Sequence, residues 1–215
     1  VVKKIKKNKT KVIIQLFHAG RLTVQKISKG KSLAPSSINT FNQPSFWRPR
    51  VRNNIVHFQT NTRFKRPKKI SLDKANVIIK QFEKSCDYAM KAGFDGVEIH
   101  GAHGYLVHTF NTLETNKRSD KFKAKNYRFS IELVKRCKKV IKNKILSYRL
   151  SLHMVDNTFI KYSNNDYNIS KLIKKLDSHG VNVFHCSELK AGSGLFEGNK
   201  SLVEIVRNVT KKTII

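Results

Sequence analysis

Apolar residues recur along the chain with two spacings, one typical of strands and the other typical of helices. Five short apolar runs have the length of strands: Val12–Phe17, Asp95–His100, Lys144–Leu152, Val181–Cys186 and Thr213–Ile215. Four longer stretches repeat apolar residues every three or four positions, which predicts helices at Ser71–Ala92, Asn126–Lys142, Asn168–His179 and Ser201–Val209. Strands therefore alternate with helices, and this order predicts an α/β fold with a parallel sheet.

Two architectures fit this alternation, a doubly wound sheet and a (β/α)8 barrel, and the periodicity does not choose between them. The first predicted strand is not followed by a Gly-x-Gly-x-x-Gly sequence, which weakens the dinucleotide-binding form of the doubly wound fold. A complete barrel needs eight strands and about 250 residues, so a barrel would mean that the chain supplies only part of one.

The segment from His18 to Lys69 shows neither spacing and is long for a connection in a compact domain. It holds prolines and the only tryptophan of the chain, Trp47. We expect an insertion around Asn39–Arg66, which is either a lid over an active site or a disordered loop.

Basic residues far outnumber acidic ones, with 44 Lys and Arg against 14 Asp and Glu and a net charge of +30. Such an excess is typical of proteins that bind nucleic acids or anionic surfaces. The lysines are nevertheless spread along the chain, with short clusters only at Lys3–Lys11, Arg63–Lys69 and Lys135–Lys144, and no nucleic-acid-binding motif is present. We therefore expect no specific nucleic-acid partner, while a basic binding protein on an α/β scaffold stays open as an alternative.

The three cysteines, Cys86, Cys137 and Cys186, are too far apart in sequence to form a metal-binding knuckle. Cys86 and Cys137 fall on apolar helix faces, which predicts buried free thiols and suits a reducing cytoplasm. No apolar run approaches the ~20 residues that span a bilayer, and the first residues lack the apolar stretch of a signal peptide. These features predict a cytoplasmic protein without a membrane partner.

The most informative stretch is Phe94–Leu106, which begins as a buried strand and continues as a glycine-rich turn. The turn carries His100, His103 and Tyr105. Titratable side chains on a turn after a buried strand are a common way to build an active site in an α/β protein.

A metal site or ordinary loop histidines are the alternatives for this turn. A metal would need further ligands, which His18 or His108 could supply, but no carboxylate has the spacing for it. We therefore expect no bound metal.

The same stretch, Ala92-Gly-Phe-Asp-Gly-Val-Glu-Ile-His-Gly-Ala-His-Gly-Tyr-Leu106, resembles the signature sequence of the Old Yellow Enzyme family. Members of that family are FMN-dependent NADH:flavin oxidoreductases, NADH oxidases and ene-reductases. Upstream, Gln15-Leu-Phe-His-Ala-Gly-Arg21 resembles the family's third barrel strand, and Ala34-Pro-Ser-Ser37 resembles the loop after it. The matches occur in the family's order, and the resemblance runs from about Val12 to the C-terminus, so together they are far more specific than any one motif.

The resemblance implies a partial (β/α)8 TIM barrel made of about strands three to seven, truncated at both ends. It implies a single FMN-binding domain over residues 1–215, with a long loop or insertion around 18–70. It also implies FMN as cofactor, NADH or NADPH as reductant and a small enone-type substrate. A homo-oligomer is a further expectation.

The resemblance also assigns roles to individual residues. Gln15 would point at the edge of the flavin ring, where an amide can both donate and accept. Arg149, inside a predicted strand, would stabilise the negative charge near N1 and O2 of reduced flavin. His100 and His103 would hold the carbonyl oxygen of the substrate and polarise the enone, with His100 also near the cofactor. Tyr105 would protonate the α-carbon as a general acid.

Two of these assignments have alternatives. A glutamine inside an apolar run can be a core side chain bonded to the backbone, and this is the alternative for Gln15. Arg149 is otherwise a surface or salt-bridged arginine. In a barrel, the carboxyl ends of the strands meet on one face, so Gln15, His100 and Arg149 are expected to lie close together.

Other positions depart from the family. Asn116, Arg118 and Asp120 match its Asn-x-Arg-x-Asp run, but Phe110–Leu113 lacks the expected proline. The Gly-Gly-Ser that usually follows is missing, and Phe122–Asn126 is shorter than the family's spacer. The implied function is reduction of activated C=C bonds of α,β-unsaturated carbonyls, or flavin or NADH oxidase activity. Because of the departures, a degenerate remnant without activity is an alternative, besides the basic nucleic-acid-binding protein.

Overall fold

A computed structural model of the chain describes residues 1–23, 31–40, 49–52, 55–58, 64–156, 166–188 and 200–215. These ranges contain the strands β1 Ile13–Leu16, β2 Leu33–Ala34, β3 Pro49–Arg52, β4 Ile55–Phe58, β5 Lys68–Lys69, β6 Gly96–His100, β7 Ile145–Leu150, β8 Val183–Cys186 and β9 Thr213–Ile214. They also contain the α-helices α1 Val2–Lys6, α2 Leu72–Lys91, α3 Leu106–Asn111, α4 Arg128–Ile141, α5 Asp166–Ser178 and α6 Leu202–Val209. Among these helices, none is both long enough and apolar enough to cross a membrane.

Five of the strands form one parallel sheet in the order β1-β6-β7-β8-β9. Spatial neighbours in this sheet follow one another along the chain, with helices in the connections. The register places Gln15 of β1 beside Glu98 of β6, and His100 of β6 beside Arg149 of β7. The predicted α/β fold with a parallel sheet is therefore confirmed.

Helix α2 shows how the apolar spacing becomes packing. One face of the helix is buried in the core: Ala75, Ile78, Ile79, Phe82, Cys86 and Ala89. The Ser71 side chain accepts a hydrogen bond from the Lys74 backbone N–H at 3.1 Å and so caps the first turn. Just beyond the helix, Gly93 has a φ of +88°, which favours glycine. The predicted helix Ser71–Ala92 is confirmed.

Helix α4 begins slightly later than the apolar spacing predicts. Tyr127 adopts a left-handed conformation with a φ of +53°, and a 3-10 turn at Ala124–Asn126 precedes it. The α-helix therefore starts at Arg128 rather than at Asn126.

The predicted buried thiols lie where α2 packs on α4. Cys86 and Cys137 are both free and fully buried, as predicted. A hydrogen bond with Cys86, together with burial, raises the pKa of the Cys137 thiol well above its usual value. Burial likewise raises the pKa of the Cys186 thiol, on β8, to about 12. The thiols of Cys137 and Cys186 are therefore protonated and poor nucleophiles.

Two stretches are more regular than the sequence predicts. Within the long segment before α2, β2 pairs in parallel with β5, and β3 pairs with β4 as an antiparallel hairpin. The segment that shows neither apolar spacing therefore contains short strands. Residues 41–48, 53–54 and 59–63 of the predicted insertion lie outside the described residues. Helix α3 directly follows the histidine turn and was not predicted, because its six residues are too few to show a helical period.

At the amino ends of the parallel strands, polar side chains complete the backbone hydrogen bonding. Asp95 accepts from the Val12 backbone N–H and from the Lys6 ammonium, each at 3.0 Å. Asn182 accepts the Leu146 N–H at its Oδ1, at 3.0 Å, and donates its own backbone N–H to the Leu146 carbonyl at 2.8 Å. The polar groups at this end of the sheet therefore serve to satisfy backbone hydrogen bonds.

Candidate active site

The carboxyl ends of β6, β7 and β8 open onto a cavity of about 460 Å³. The residues that line it come from the ends of these three strands and the turns after them: His100, His103, Tyr105, Arg149, His153, Val155, Ser187 and Glu188. Four predicted site residues therefore lie together on the face where parallel α/β sheets carry function. Gln15 is not among the residues that line this cavity.

His100 is the last residue of β6 and is only 5% exposed. Its Nδ1 accepts the Ala102 backbone N–H at 3.3 Å. A neutral imidazole with an accepting Nδ1 carries its proton on Nε2, so that edge of the ring is a hydrogen-bond donor. Burial and, next, the positive charge of Arg149 lower the pKa of His100 to about 4. The ring is therefore a neutral donor near neutral pH.

His103 has a left-handed backbone with a φ of +61°, which residues other than glycine rarely adopt. Its backbone N–H donates to Ser151 Oγ at 2.7 Å, and its carbonyl accepts the Val155 N–H at 3.1 Å. The ring Nε2 lies 3.3 Å from the Ser187 carbonyl oxygen and donates to it. Burial and, next, His153 lower the pKa of His103 to about 3. This ring is neutral too, and a ligand oxygen would compete with Ser187 for its proton.

Close contacts explain both glycines of the turn. A Cβ on Gly101 would lie 2.3 Å from the ring of Tyr148, a buried residue of β7. Gly104 has a φ of +81°, and a Cβ there would lie 2.9 Å from Asp156 Oδ1. Glycines therefore let the histidine turn lie directly on the residues of β7 and of the turn after it.

Tyr105 is half-buried at the start of α3 and packs its ring against two neighbours. The Phe17 ring centroid lies 4.5 Å away and the His100 centroid 5.0 Å away, both in edge-on arrangements. Burial raises the pKa of Tyr105 above its usual value. The phenol is therefore protonated and can serve as a proton donor.

Arg149 is half-buried on β7, so it is not a simple surface arginine. Its Nη2 donates to Ser187 Oγ at 2.9 Å. Its Nε is buried and has no hydrogen-bond acceptor among the residues that the structure describes. A buried N–H without an acceptor costs free energy, so this atom suits a ligand that brings an acceptor or a negative charge.

Gln15 lies on β1, outside the cavity, and its side chain is exposed. Its Nε2 donates one N–H to Glu98 Oε1 at 2.6 Å, so its second N–H and its amide oxygen can still bond a ligand. The alternative of a core glutamine bonded to the backbone is therefore wrong. Gln15 instead lines a neighbouring groove between β1 and α2, together with Phe17 and His18.

Glu98 joins Gln15 to the next strands of the sheet. It accepts from Ser147 Oγ at 2.6 Å, and its Oε2 lies 3.0 Å from His185 Nδ1. Burial alone would raise the pKa of Glu98, but the hydrogen bonds from His185, Ser147 and Gln15 outweigh burial and lower the pKa to about 2. Sequence reasoning missed this residue, although a charged residue between Val97 and Ile99 of a buried strand was a signal.

The sequence of the whole chain, residues 1–215, matches one protein family, described as the NADH:flavin oxidoreductase / NADH oxidase family. The chain belongs to this family. It is 29% identical to the NADH oxidase of Thermoanaerobacter brockii over 198 residues, which are 90% of this chain and 26% of that protein. It is 33% identical to 12-oxophytodienoate reductase 2 of Arabidopsis thaliana over 140 residues, which cover 64% of this chain and 35% of that protein.

The fold of this NADH:flavin oxidoreductase family member is similar to that of an old yellow enzyme homologue from Zymomonas mobilis. The TM-score is 0.79 at 22% identity, and the match covers 99% of this chain and 57% of that one. The five-stranded sheet is therefore part of a (β/α)8 barrel, and the predicted fold and Old Yellow Enzyme resemblance are confirmed. The chain spans only part of the length of each of these relatives.

The family's Asn-x-Arg-x-Asp run has a structural role in this chain. Arg118 makes two hydrogen bonds to the Asp120 carboxylate, one of them 3.0 Å long, and donates to the backbone carbonyls of Pro35 and Ile70. Asn116 Nδ2 donates to two further backbone carbonyls at 2.7 and 2.9 Å. The run thus fastens the turn after α3 to the segment before α2.

Two other histidines support the backbone around the cavity. The buried His108 accepts the Gly104 N–H at Nδ1, at 3.1 Å, and His18 accepts the Gly20 N–H at 3.0 Å. Within the described ranges, no group of three or more His, Cys, Asp or Glu side chains is arranged to hold a metal.

Three polar residues that line the cavity were not predicted: His153, Ser187 and Glu188. Ser187 and Glu188 come directly after β8, and polar residues at the carboxyl end of a parallel strand were the available signal. His153 gave the same signal, since it directly follows the predicted strand Lys144–Leu152.

Proposed function

We propose that the intact protein is an FMN-dependent NAD(P)H oxidoreductase that reduces the activated C=C bond of α,β-unsaturated carbonyl compounds. One observation carries the proposal: a single cavity combines a buried N–H of Arg149 without a described acceptor, a neutral N–H donor of His100 and a protonated phenol of Tyr105. Membership of a family described as NADH:flavin oxidoreductase supports it, as does a relative named as a 12-oxophytodienoate reductase. A flavin or NADH oxidase activity would use the same cofactor site.

The donor set fits FMN. Arg149 Nε would lie at the N1 and O2 edge of the flavin, where reduction places negative charge. Gln15 would offer its amide oxygen and its second N–H to the flavin ring edge, since only one N–H is bonded to Glu98. When bound in this site, FMN would supply the hydride-transfer chemistry that links NADH or NADPH to the C=C bond of the substrate.

His100 and His103 would bind the carbonyl oxygen of the substrate. Both rings are neutral near pH 7, because their pKa values are lowered to about 4 and about 3. Each neutral ring has one N–H, and that of His103 would exchange the Ser187 carbonyl for the substrate oxygen. A donor aimed at an oxygen that gains negative charge stabilises the transition state. The same two donors would polarise the enone and make its β-carbon accept hydride.

Tyr105 would supply the proton that completes the reduction at the α-carbon. Its phenol stays protonated because burial raises its pKa. Edge-on contacts with Phe17 and His100 restrict the direction of its ring. A positioned acid of this kind acts by general acid catalysis.

The departures from the family sequence lie away from the cavity. Phe122 is buried and packs edge-on against Phe110 and Phe129, so the shortened spacer begins inside an ordered aromatic cluster. The spacer residues Phe122–Asn126 are not among the described residues that line the cavity. This arrangement supports an active enzyme over a degenerate remnant.

Further features of the proposal come from the sequence. A single FMN-binding barrel domain, a cytoplasmic location and a homo-oligomeric state remain our proposals. The free buried thiols of Cys86 and Cys137 favour a reducing compartment.

The experiment is to purify the intact protein, identify its flavin and supply NADH or NADPH with 2-cyclohexenone under anaerobic conditions. We expect bound FMN and conversion of the enone to cyclohexanone. A flavin-free protein, or a flavoprotein whose flavin NAD(P)H reduces while the enone stays unchanged, would contradict the proposal.

A further inference from the structure

We infer that Glu188, acting through His153, positions His103 for the carbonyl oxygen of a ligand. The inference rests on the proposed function and deepens it, because it concerns the same cavity. His153 and Glu188 line that cavity beside His103, yet neither has a role in the proposed binding of cofactor and substrate or in the proton transfer.

Both oxygens of the Glu188 carboxylate are held by the turn after β7. Oε2 lies 2.7 Å from His153 Nδ1, and Oε1 accepts the Leu152 backbone N–H in a short hydrogen bond. A carboxylate can only accept, so Nδ1 of His153 carries the proton. The side chains of His153 and Glu188 are only 8% and 6% exposed. Hydrogen bonds to a charged group are strong in such surroundings, so Glu188 ties this turn firmly to the end of β8.

The turn that Glu188 fastens also holds the backbone of His103. Ser151 Oγ accepts the His103 N–H at 2.7 Å and donates to the His153 carbonyl at 2.8 Å. The Val155 N–H donates to the His103 carbonyl at 3.1 Å. His103 needs this support on both sides, because its left-handed conformation is unfavourable for a residue with a side chain.

The same elements set the direction of the His103 ring. The ring centroids of His103 and His153 lie 5.2 Å apart with an angle of 37° between the planes. Ser187, next to Glu188 in the chain, accepts from His103 Nε2 through its carbonyl oxygen at 3.3 Å. Loosening the contact between Glu188 and His153 would therefore release both the backbone and the ring of His103. A donor that moves by about 1 Å can cost up to about 10²-fold in the step it serves.

The test measures the dissociation constant of 2-cyclohexenone for the oxidised, flavin-loaded intact protein, from the change in flavin absorbance. His153→Leu removes the donor to Glu188, whereas His153→Asn places an amide N–H near the position of Nδ1 and can keep that bond. His179→Leu is the matched control, because His179 bonds the Lys175 carbonyl at 2.6 Å on α5, away from the cavity.

We expect His153→Leu to raise the dissociation constant about tenfold or more, with flavin content unchanged, because His103 is misplaced. His153→Asn should restore binding close to that of the unmodified protein, and His179→Leu should leave it unchanged. Wild-type binding by His153→Leu, or equal loss in His153→Leu and His153→Asn, would overturn the inference. If His153→Leu does not fold, Glu188→Met repeats the test with a side chain of similar length that bonds neither the Leu152 N–H nor His153. Wild-type binding by that variant would equally overturn the inference.

His103→Ala separates this inference from the proposed function. If His103→Ala binds the enone as well as the unmodified protein, the role proposed for His103 fails. If His103→Ala weakens binding but His153→Leu does not, only the positioning role of Glu188 and His153 fails.

Discussion

Polar side chains have different roles at the two ends of the parallel sheet. At the amino ends, Asp95 and Asn182 each accept a backbone N–H of a neighbouring strand, so these polar groups complete the sheet. At the carboxyl ends, Arg149 keeps a buried N–H without a described acceptor, and His103 is held in a left-handed conformation. Barrels of this class place stability at the first end and chemistry at the second. Backbone strain at His103 and the Arg149 N–H without a described acceptor therefore both occur at the carboxyl ends, where a ligand would bind.

Removing the proposed proton donor at the carboxyl ends, Tyr105, should have the largest effect on the reaction rate. We expect Tyr105→Phe to slow reoxidation of the reduced flavin by 2-cyclohexenone by roughly 10²–10⁴-fold, because the α-carbon loses its general acid. Reduction of the flavin by NADH or NADPH should be nearly unchanged, since that half-reaction needs no proton delivered to carbon. Rapid mixing under anaerobic conditions measures the two half-reactions separately. Equal slowing of both would argue against a proton-donor role.

Removing a carbonyl donor should have the next largest effect. We expect His100→Ala to slow enone reduction by roughly 10²-fold and to weaken enone binding, while FMN stays bound, because one donor to the developing oxyanion is lost. The measurements are enone turnover, enone titration and flavin content. Unchanged enone kinetics would remove His100 from the substrate site.

Arg149→Ala should affect the flavin more than the fold. We expect flavin reduction to slow by roughly tenfold, because the fixed positive charge beside the reduced ring is lost. Thermal unfolding should change little, since Arg149 loses one hydrogen bond, from Nη2 to Ser187 Oγ, and its Nε has no partner to lose among the described residues. A normal flavin spectrum together with a normal reduction rate would show that Arg149 does not contact the cofactor.

The amino end provides the contrasting variant. Asn182→Ala removes the acceptor for the Leu146 N–H and should lower the free energy of unfolding by about 1–3 kcal/mol. Enone binding and flavin reduction should stay unchanged, because Asn182 lies at the opposite end of the strands from the cavity. Chemical denaturation and the enone titration check the two halves of this prediction.

The lowered histidine pKa values predict a pH dependence with a definite sign. His100 and His103 titrate at about 4 and about 3 in the folded chain, below the usual value near 6.5, so the unfolded chain binds their protons first. Their contribution to stability is present above about pH 6.5 and is lost as the pH falls towards about 4 to 3. Enone affinity should stay flat between about pH 6 and pH 8, because both rings are neutral there.

Denaturation curves across this pH range check the sign. His103→Gln should lose part of the acid-dependent destabilisation. Enone affinity that rises as the pH falls from 8 to 6 would instead mean that a protonated histidine binds the carbonyl.

The sequence predicted those elements of the fold whose apolar pattern repeats over many residues. Helix α2 was predicted correctly because its apolar face repeats over 20 residues and a serine caps it. β2 and β5 have two residues each and pair across a long stretch of chain, so neither a local period nor a neighbour in sequence could reveal them. Helix α3 was missed because its six residues are too few to show a helical period.

In the candidate site, too, the sequence predicted some features and could not predict others. His100 and Arg149 were placed together because neighbouring parallel strands end on the same face, and the structure puts them side by side. Gln15 sits on the adjacent strand, but it donates to Glu98 and is not among the residues that line the cavity. The contact between Glu188 and His153 joins two turns whose relative position depends on tertiary packing, so no local pattern could predict it.

The most direct test of the contrast between the two ends is the rate constant for reoxidation of the reduced flavin by 2-cyclohexenone, measured side by side for His100→Ala and Asn182→Ala at a temperature where both are folded. We predict a loss of roughly 10²-fold for His100→Ala and the unmodified rate for Asn182→Ala. A normal rate for His100→Ala, or an equal loss in both variants, would contradict the placement of the chemistry at the carboxyl ends of the strands.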